Sequence, residues 1–517
     1  MVLQQNRSMR IWGTAEPEEG LTVTFAERAV KTTADKAGNW STVIETGSAG
    51  GPYQLTIAAD DESRKVVFDN VLVGEVWLCC GQGNMQMKVR DSENAKSAVD
   101  SAKSFPQLRM FTAEQHATST PIKDFVKVKP WYCCSEETIN EFSAVAFYFG
   151  RHLQESIRVP IGVINVARAG TTLEAWTPYE GLENEGSFDG LLEHWKERDD
   201  PSNPSCVSCS FNGMIAPLTR FPVAGIIWYQ GEANVGRGAQ YARMFPTMIR
   251  SWREQFKSTD LPFYFVQLAP HRYEDYPRDA LAEIWEAQLK TQESVPHTGI
   301  VPTIDVGDPG SLIPSNKLTI GRRLSRLVIA NRYAKEETGL PTEPEPAAVP
   351  ADEPTVGGPS ADSADLTNSA DIADSDAPSA SDNGQTTEGS SGDSETTVVT
   401  REAEWVVSGP KFQSAKVDGD QIVITFRNTG SGLVLHPEHK QQFTICGEDR
   451  QFVPADVTID GPNDTRLILR NKDITQPVAA RYAWQDTAKS ALSNKEGLPA
   501  FPFRTDDFPL ISSEVEF

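Results

Sequence analysis

The chain has 517 residues, 39% hydrophobic and 23% charged, which is enough apolar material for a sizeable core in roughly two to four domains. Its formal net charge of -24 excludes nucleic acid and anionic membrane surfaces as natural partners, because neutralising phosphates takes Lys and Arg. No apolar run of about eighteen residues occurs, so no membrane insertion is expected.

Residues 1–68 read as a small β-domain. Leu21, Val23 and Phe25 alternate with polar residues, and so do Tyr53, Leu55 and Ile57, the period-2 pattern of half-buried strands. Gly38-Asn39 and Gly50-Gly51-Pro52 are expected to turn the chain between them. The first residues, Met1-Val2-Leu3-Gln4-Gln5-Asn6-Arg7, hold no apolar signal core.

Residues 69–336 change character. Apolar runs at 75–79, 161–166, 224–229, 262–268 and 299–304 read as strands, and residues 142–157, 240–256, 281–293 and 317–333 read as helices. Strands alternating with helices predict a parallel sheet covered on both faces. Sites then gather at the carboxyl ends of the strands. Residues 337–403 are rich in Ser, Pro, Asp, Glu and Thr. Within 341–400 there are thirteen acidic residues and no Lys or Arg, so this insert is expected to be disordered. Residues 404–517 alternate again, with Ile422, Ile424 and Phe426 on one strand face and Leu467 and Leu469 on another, which predicts a second β-domain.

Seven cysteines occur: Cys79, Cys80, Cys133, Cys134, Cys206, Cys209 and Cys446. Adjacent cysteines rarely bridge each other, so the set does not fix a redox compartment. Cys206-Val207-Ser208-Cys209 lacks the second C-x-x-C that a metal site would need, and is read as carrying no redox or metal role. His436-Pro437-Glu438-His439 reads as a polar turn. No metal or cofactor is expected.

Each strand-like run of the central region leads into a distinctive motif. Trp77-Leu78-Cys79-Cys80-Gly81-Gln82-Gly83-Asn84-Met85 resembles the W-L-C-S-G-Q-S-N-M block of the sialate O-acetylesterase family, SGNH hydrolases in which the second serine attacks the ester. Val166-Ala167-Arg168-Ala169-Gly170-Thr171-Thr172-Leu173-Glu174-Ala175-Trp176 is similar to S-W-G-G-T-x-x-E-A-W of that family. Trp228-Tyr229-Gln230-Gly231-Glu232-Ala233-Asn234 is similar to W-Y-Q-G-E-S-N. Residues 305–317 resemble D-x-G-D-P-N-D-I-H-P-x-N-K, which carries the catalytic Asp and His. The order of the motifs is kept. The ends of the chain match too, at Met1-Val2-Leu3-Gln4, Asn494-Lys495-Glu496-Gly497-Leu498-Pro499 and Pro502-Phe503-Arg504-Thr505-Asp506-Asp507.

The resemblance implies an α/β SGNH-hydrolase three-layer domain with a five-stranded parallel sheet, flanked by N- and C-terminal β-domains. It implies a secreted or periplasmic protein whose start is truncated, because Met-Val-Leu-Gln lies inside the mature chain in the family. It also implies that Gly83, Ser311 and Ile313 stand where the family has its nucleophile, orienting carboxylate and base. Glycine offers no attacking atom, isoleucine accepts no proton, and a serine hydroxyl gives no ionic support to an imidazolium. By the same resemblance Gly170 and Asn234, with the backbone N–H of Gly83, are oxyanion-hole donors, and Gln82, Gln230 and Glu232 bind substrate. Arg168, Ala169 and Trp285 stand where the family has Trp, Gly and usually Arg.

The expected protein is therefore a sialate O-acetylesterase-like pseudoenzyme that keeps a cleft for O-acetylated sialic acid or another acetylated sugar. One alternative is an active esterase with a non-standard nucleophile. Cys80 or His271 would then enter the site, although each has an ordinary role as the simpler reading, a small buried residue and a loop histidine. Another is a structural or interaction protein dominated by the acidic insert. Asp305 and Asp308 are expected to shape a turn.

Overall fold

A strand buried on both faces needs an apolar run, and residues 71–80 supply one broken only by the buried Glu75. They lie in the strand β1 (Lys65–Gly81), around which the fold is organised in a computed structural model that describes residues 1–61, 64–196, 198, 200–334 and 406–515. The acidic insert at 337–403 lies outside the described residues.

Beside β1 run β2 (Leu108–Thr112), β3 (Ile161–Ala167), β4 (Gly225–Tyr229), β5 (Phe263–Val266) and β6 (Thr298–Val301). Their order is β6-β5-β4-β1-β3-β2, with every neighbouring pair parallel. The parallel sheet therefore has six strands where the sequence reading expects five. Strand β2 escapes notice because Arg109 interrupts its apolar run. The structure buries that guanidinium and ties it to the Pro106 carbonyl and, at 3.0 Å, to Asn70 Oδ1. Tyr132–Cys133 adds a two-residue antiparallel edge.

Four helices cover the sheet: α1 (Ala144–Ile157), α2 (Gly238–Gln255), α3 (Ala280–Ser294) and α4 (Lys317–Val328). Trp77 and Cys80 are three residues apart on β1 and so point to opposite faces, and Trp228 is in register with Cys80. Trp77 packs on Phe149 of α1, and Trp228 packs on Phe245 and Trp252 of α2. Helices α1 and α4 therefore share one face while α2 and α3 share the other, giving three layers. Side-chain caps fix two helix starts. Ser143 accepts from the Ala146 N–H, and Asn316 accepts from the Thr319 N–H.

The strands of the first seventy residues pack on their own cluster, including Leu21, Val23, Phe25, Trp40 and Leu55. Gly20–Phe25 pairs antiparallel with both Arg28–Thr33 and Gly50–Ala59, and the latter pairs with the first half of β1. One continuous strand thus serves both regions, where the sequence reading places a boundary after residue 68. Gly50-Gly51-Pro52 is a start of strand, not a turn, with a register shift between Gly50 and Tyr53. The chain bends just before it, at residues 48–49.

After residue 406 the chain forms antiparallel sheets. Lys411–Asp418, Gln421–Arg427, Arg466–Arg470 and Asp456–Asp460 make the largest, with Ile422, Ile424, Phe426, Leu467 and Leu469 buried. These side chains are continuous with the core of the α/β region. Ion pairs fasten the two, as in Arg504 with Glu286 of α3 at 3.0 Å. No described helix is long and apolar enough to cross a membrane.

Candidate functional site

Three of the motifs leave the sheet at one level, because Gly81, Ala167 and Tyr229 are register partners at the carboxyl ends of β1, β3 and β4. Gly81 has φ +150°, and a β-carbon there would lie 2.0 Å from the Tyr229 carbonyl oxygen. Only glycine lets the two strand ends come this close. The order of strands reverses at β1, so this edge is where an open α/β sheet forms a crevice.

Behind that crevice lies a buried polar cluster. Glu232 accepts from Gln82 Nε2 and Asn84 Nδ2, one on each carboxylate oxygen. Asn84 Nδ2 also donates to the Leu312 carbonyl at 3.0 Å, and its Oδ1 accepts from Lys317 Nζ. Gln230 Nε2 donates to Asn234 Oδ1 at 2.8 Å and to the Thr171 carbonyl at 3.1 Å. Asn234 Nδ2 donates to Glu174 Oε2 at 2.9 Å, and Arg237 pairs with Glu174 Oε1 at 3.1 Å. Gln82, Gln230, Glu232 and Asn234 thus come together in one hydrogen-bonded set. All four are buried, Gln230 wholly so.

Lys317 and Asn84 sit inside quoted motifs, yet the sequence reading assigns them nothing. Lys317 is the first residue of α4, is 0% exposed, and lies 5.4 Å from the Tyr229 ring centroid. Burial brings its amine down to about 7, against the pull of Glu232. Burial also raises the Glu232 carboxyl above the usual range, opposed by the Asn84 hydrogen bond and by Lys317. A buried lysine at a helix N-terminus, where the dipole disfavours cations, needs such partners.

Gly83 starts a single helical turn, Gly83–Gln86, just after β1. A β-carbon on Gly83 would lie 2.9 Å from Ile313 Cδ1 and 3.6 Å from Ile313 Cγ1. Positions 83 and 313 therefore face each other. The Ser311 N–H donates to the Asp308 carbonyl at 2.9 Å. Asp308 Oδ1 accepts from the Gly310 N–H at 2.9 Å, and Asp305 receives both arms of the buried Arg323 at 2.7 and 2.6 Å. Gly170 is at the exposed rim with φ +74° and open space around it. Next to it the Ala169 N–H donates to Gln86 Oε1 at 2.7 Å, and Arg168 holds the Ser202 carbonyl at 3.0 Å. Trp285 is a core residue whose Nε1 donates to the Leu268 carbonyl at 2.8 Å.

Cys80, next to last in β1, is wholly buried, and burial, then the neighbouring Cys79, drives its thiol far above the ordinary value. His271 stacks edge-on against Tyr273 at 5.0 Å, beside Asp486 and Asp308, and burial lowers its pKa. Cys206 and Cys209, read as having no redox role, are joined in a disulfide. His436 bonds Ser493 Oγ at 3.1 Å, and among the described residues no group of three or more His, Cys, Asp or Glu is arranged to hold a metal.

Residues 73–329 match the model of the family described as carbohydrate esterase, sialic acid-specific acetylesterase. The sialate O-acetylesterase of Homo sapiens is 29% identical over 359 residues, covering 63% of this chain and 68% of that protein. The sialate O-acetylesterase of Mus musculus is 28% identical over 381 residues, covering 63% and 70%. Among solved structures, a carbohydrate acetylesterase from Xanthomonas citri superposes with a TM-score of 0.76 at 29% identity, covering 98% of this chain and 97% of that one.

Proposed function

We propose, from the membership of residues 73–329 in the sialate O-acetylesterase family, that this protein binds acetylated sugars, O-acetylated sialic acid among them, in an SGNH-hydrolase cleft that no longer cleaves them. The observation that carries this reading is the contact between positions 83 and 313. An attacking hydroxyl and its base must lie within hydrogen-bond reach. At the corresponding place this chain sets a glycine against the Cδ1 of an isoleucine. Hydrocarbon then stands where the family resemblance puts a nucleophile facing its base.

Gly170 and Asn234 stand as the oxyanion-side donors, and Gln82 and Glu232 as the polar groups that meet sugar hydroxyls, with Gln230 supporting them from behind. The neutral tendency of both Glu232 and Lys317 suits a cleft for an uncharged ester group. The protein is read as secreted or periplasmic, as the resemblance implies, and as dividing at about residues 68, 336 and 403. In a well-studied serine hydrolase, loss of the triad lowers turnover about a millionfold and leaves roughly 10³–10⁴ over water. That remnant would not sustain an esterase.

Calorimetry with O-acetylated sialic acid and with xylan fragments tests the binding half. Binding of an acetylated sugar is expected; heats indistinguishable from dilution with both would leave the cleft without this role. The combined substitution Gly83→Ser, Ser311→Asp and Ile313→His tests the lineage of the site. It is expected to raise p-nitrophenyl acetate turnover at least tenfold over the unmodified chain. A folded triple variant as silent as the parent would show that more than the triad has diverged.

A further inference from the structure

Beside the crevice the chain encloses a second cavity, of about 380 Å³. Its aromatic walls are Tyr179, 49% exposed on the first turn of the helix Tyr179–Glu185, and the half-buried Trp195. Ser119, Glu180, Lys196 and Asn212 add polar groups around them. We infer that this cavity is a second saccharide subsite, which takes a neutral pyranose ring linked to the sugar held in the main crevice. The inference rests on the carbohydrate-binding reading above.

The chemistry of the lining points to that ligand. A pyranose has flat faces of C–H groups edged by hydroxyls. It therefore suits a wall with two aromatic side chains and a few convergent polar groups better than a wholly apolar molecule does. The charged rim carries one carboxylate, Glu180, and one amine, Lys196, and the amine already pairs with Glu193 at 3.3 Å. With that amine paired, Glu180 leaves the rim net negative, which disfavours an acidic sugar, so the neutral ring is the better occupant.

The cavity is built in advance and tied to the crevice. The Ser208 N–H donates to the Glu174 carbonyl at 2.9 Å, and Ser208 Oγ donates to the Thr177 carbonyl at 2.7 Å. The Cys206–Cys209 disulfide closes the loop that carries Ser208, and Cys206 itself faces the cavity. Asn212 Nδ2 donates to the Ser119 carbonyl at 2.9 Å, which joins two walls. Glu174 belongs to the crevice cluster through Asn234. One short turn, Leu173–Trp176, thus lies between the two sites and leads through Thr177 and Pro178 to Tyr179.

The test compares O-acetylated N-acetylneuraminic acid with O-acetylated N-acetylneuraminyl-lactose by calorimetry on the full chain. The lactose part supplies the neutral rings. The wild type is expected to bind the trisaccharide about tenfold more tightly. Trp195→Ala and Tyr179→Ala should each remove most of that gain, by about fivefold or more, and leave the monosaccharide affinity unchanged, with Trp195→Phe keeping the larger part. Far-UV circular dichroism and melting confirm that the variants fold. Equal affinity of the wild type for the two sugars overturns the subsite and spares the crevice. So does a trisaccharide affinity that neither alanine variant changes. Absence of binding by the wild type to either sugar overturns the subsite together with the reading beneath it.

Discussion

A serine hydroxyl attacks an ester only while something takes its proton. Gly83 has no hydroxyl, and the side chain against it, Ile313, has no lone pair. What remains polar nearby is the set built on Glu232, Asn84 and Lys317, which the fold buries. Lys317 carries a pH signature. Its amine titrates near 10.5 in an unfolded chain and about 7 in the folded one. Between those values the unfolded state holds more protons, so this lysine makes stability rise with pH across that window. The raised Glu232 carboxyl acts in the opposite sense at lower pH, losing stability as pH climbs from its ordinary 4.5 through its folded value. Urea midpoints measured from pH 7 to 9.5 should therefore rise in the wild type more than in Lys317→Met. Equal slopes would contradict the buried amine. That Gly83 carries no hydroxyl and Ile313 no lone pair was legible from sequence, because each is a residue identity. Lys317 was not, because a lysine in a string gives no sign of being buried. Neither the burial of Cys80 nor the place of His271 beside Asp486 and Asp308 could be read from the string.

Among the elements, β1 does most of the positioning. It pairs with Gly50–Ala59 at one end and with β3 and β4 at the other, and Gly81 lets its last residues meet Tyr229. Gly81→Ala should prevent native folding or cost at least about 3 kcal/mol, because the backbone is left-handed there and the new carbon meets a carbonyl oxygen. A fully stable Gly81→Ala protein would show that the strand ends are not so closely held. The loop after β6 is fixed differently. Arg323 is buried and grips Asp305 with two bonds, so Arg323→Met should cost about 3 kcal/mol in denaturant unfolding. A loss under about 0.5 kcal/mol would put Asp305 outside the structural role assigned to it. Strands with unbroken apolar runs, such as 161–166 and 224–229, and helices with clear periodicity, such as 142–157, were readable in advance. The short strand β2 was hidden by Arg109. The Gly-Gly-Pro at 50–52 was misread because turn composition also occurs at irregular strand starts.

At the scale of the molecule, the described chain combines an α/β layer structure with β-sheets at both ends, and the C-terminal sheets share its core. Composition indicated the alternation of such regions. It did not show that β1 would run unbroken from one into the next, since an apolar stretch carries no mark of which sheet it enters. The cysteines give a whole-molecule test. Cys79, Cys80, Cys134 and Cys446 are free and buried, Cys133 is free and exposed, and Cys206 is bonded to Cys209. Thiol titration should find one fast-reacting group in the folded protein, five after unfolding without reductant, and seven with it. Seven without reductant would remove the disulfide from the cavity wall. The central claim, a sugar cleft without ester chemistry, is tested most directly by acetate release from O-acetylated sialic acid by the purified, unaltered protein. Release at the rate of the enzyme-free control is the predicted result; steady turnover that persists through repurification would contradict it.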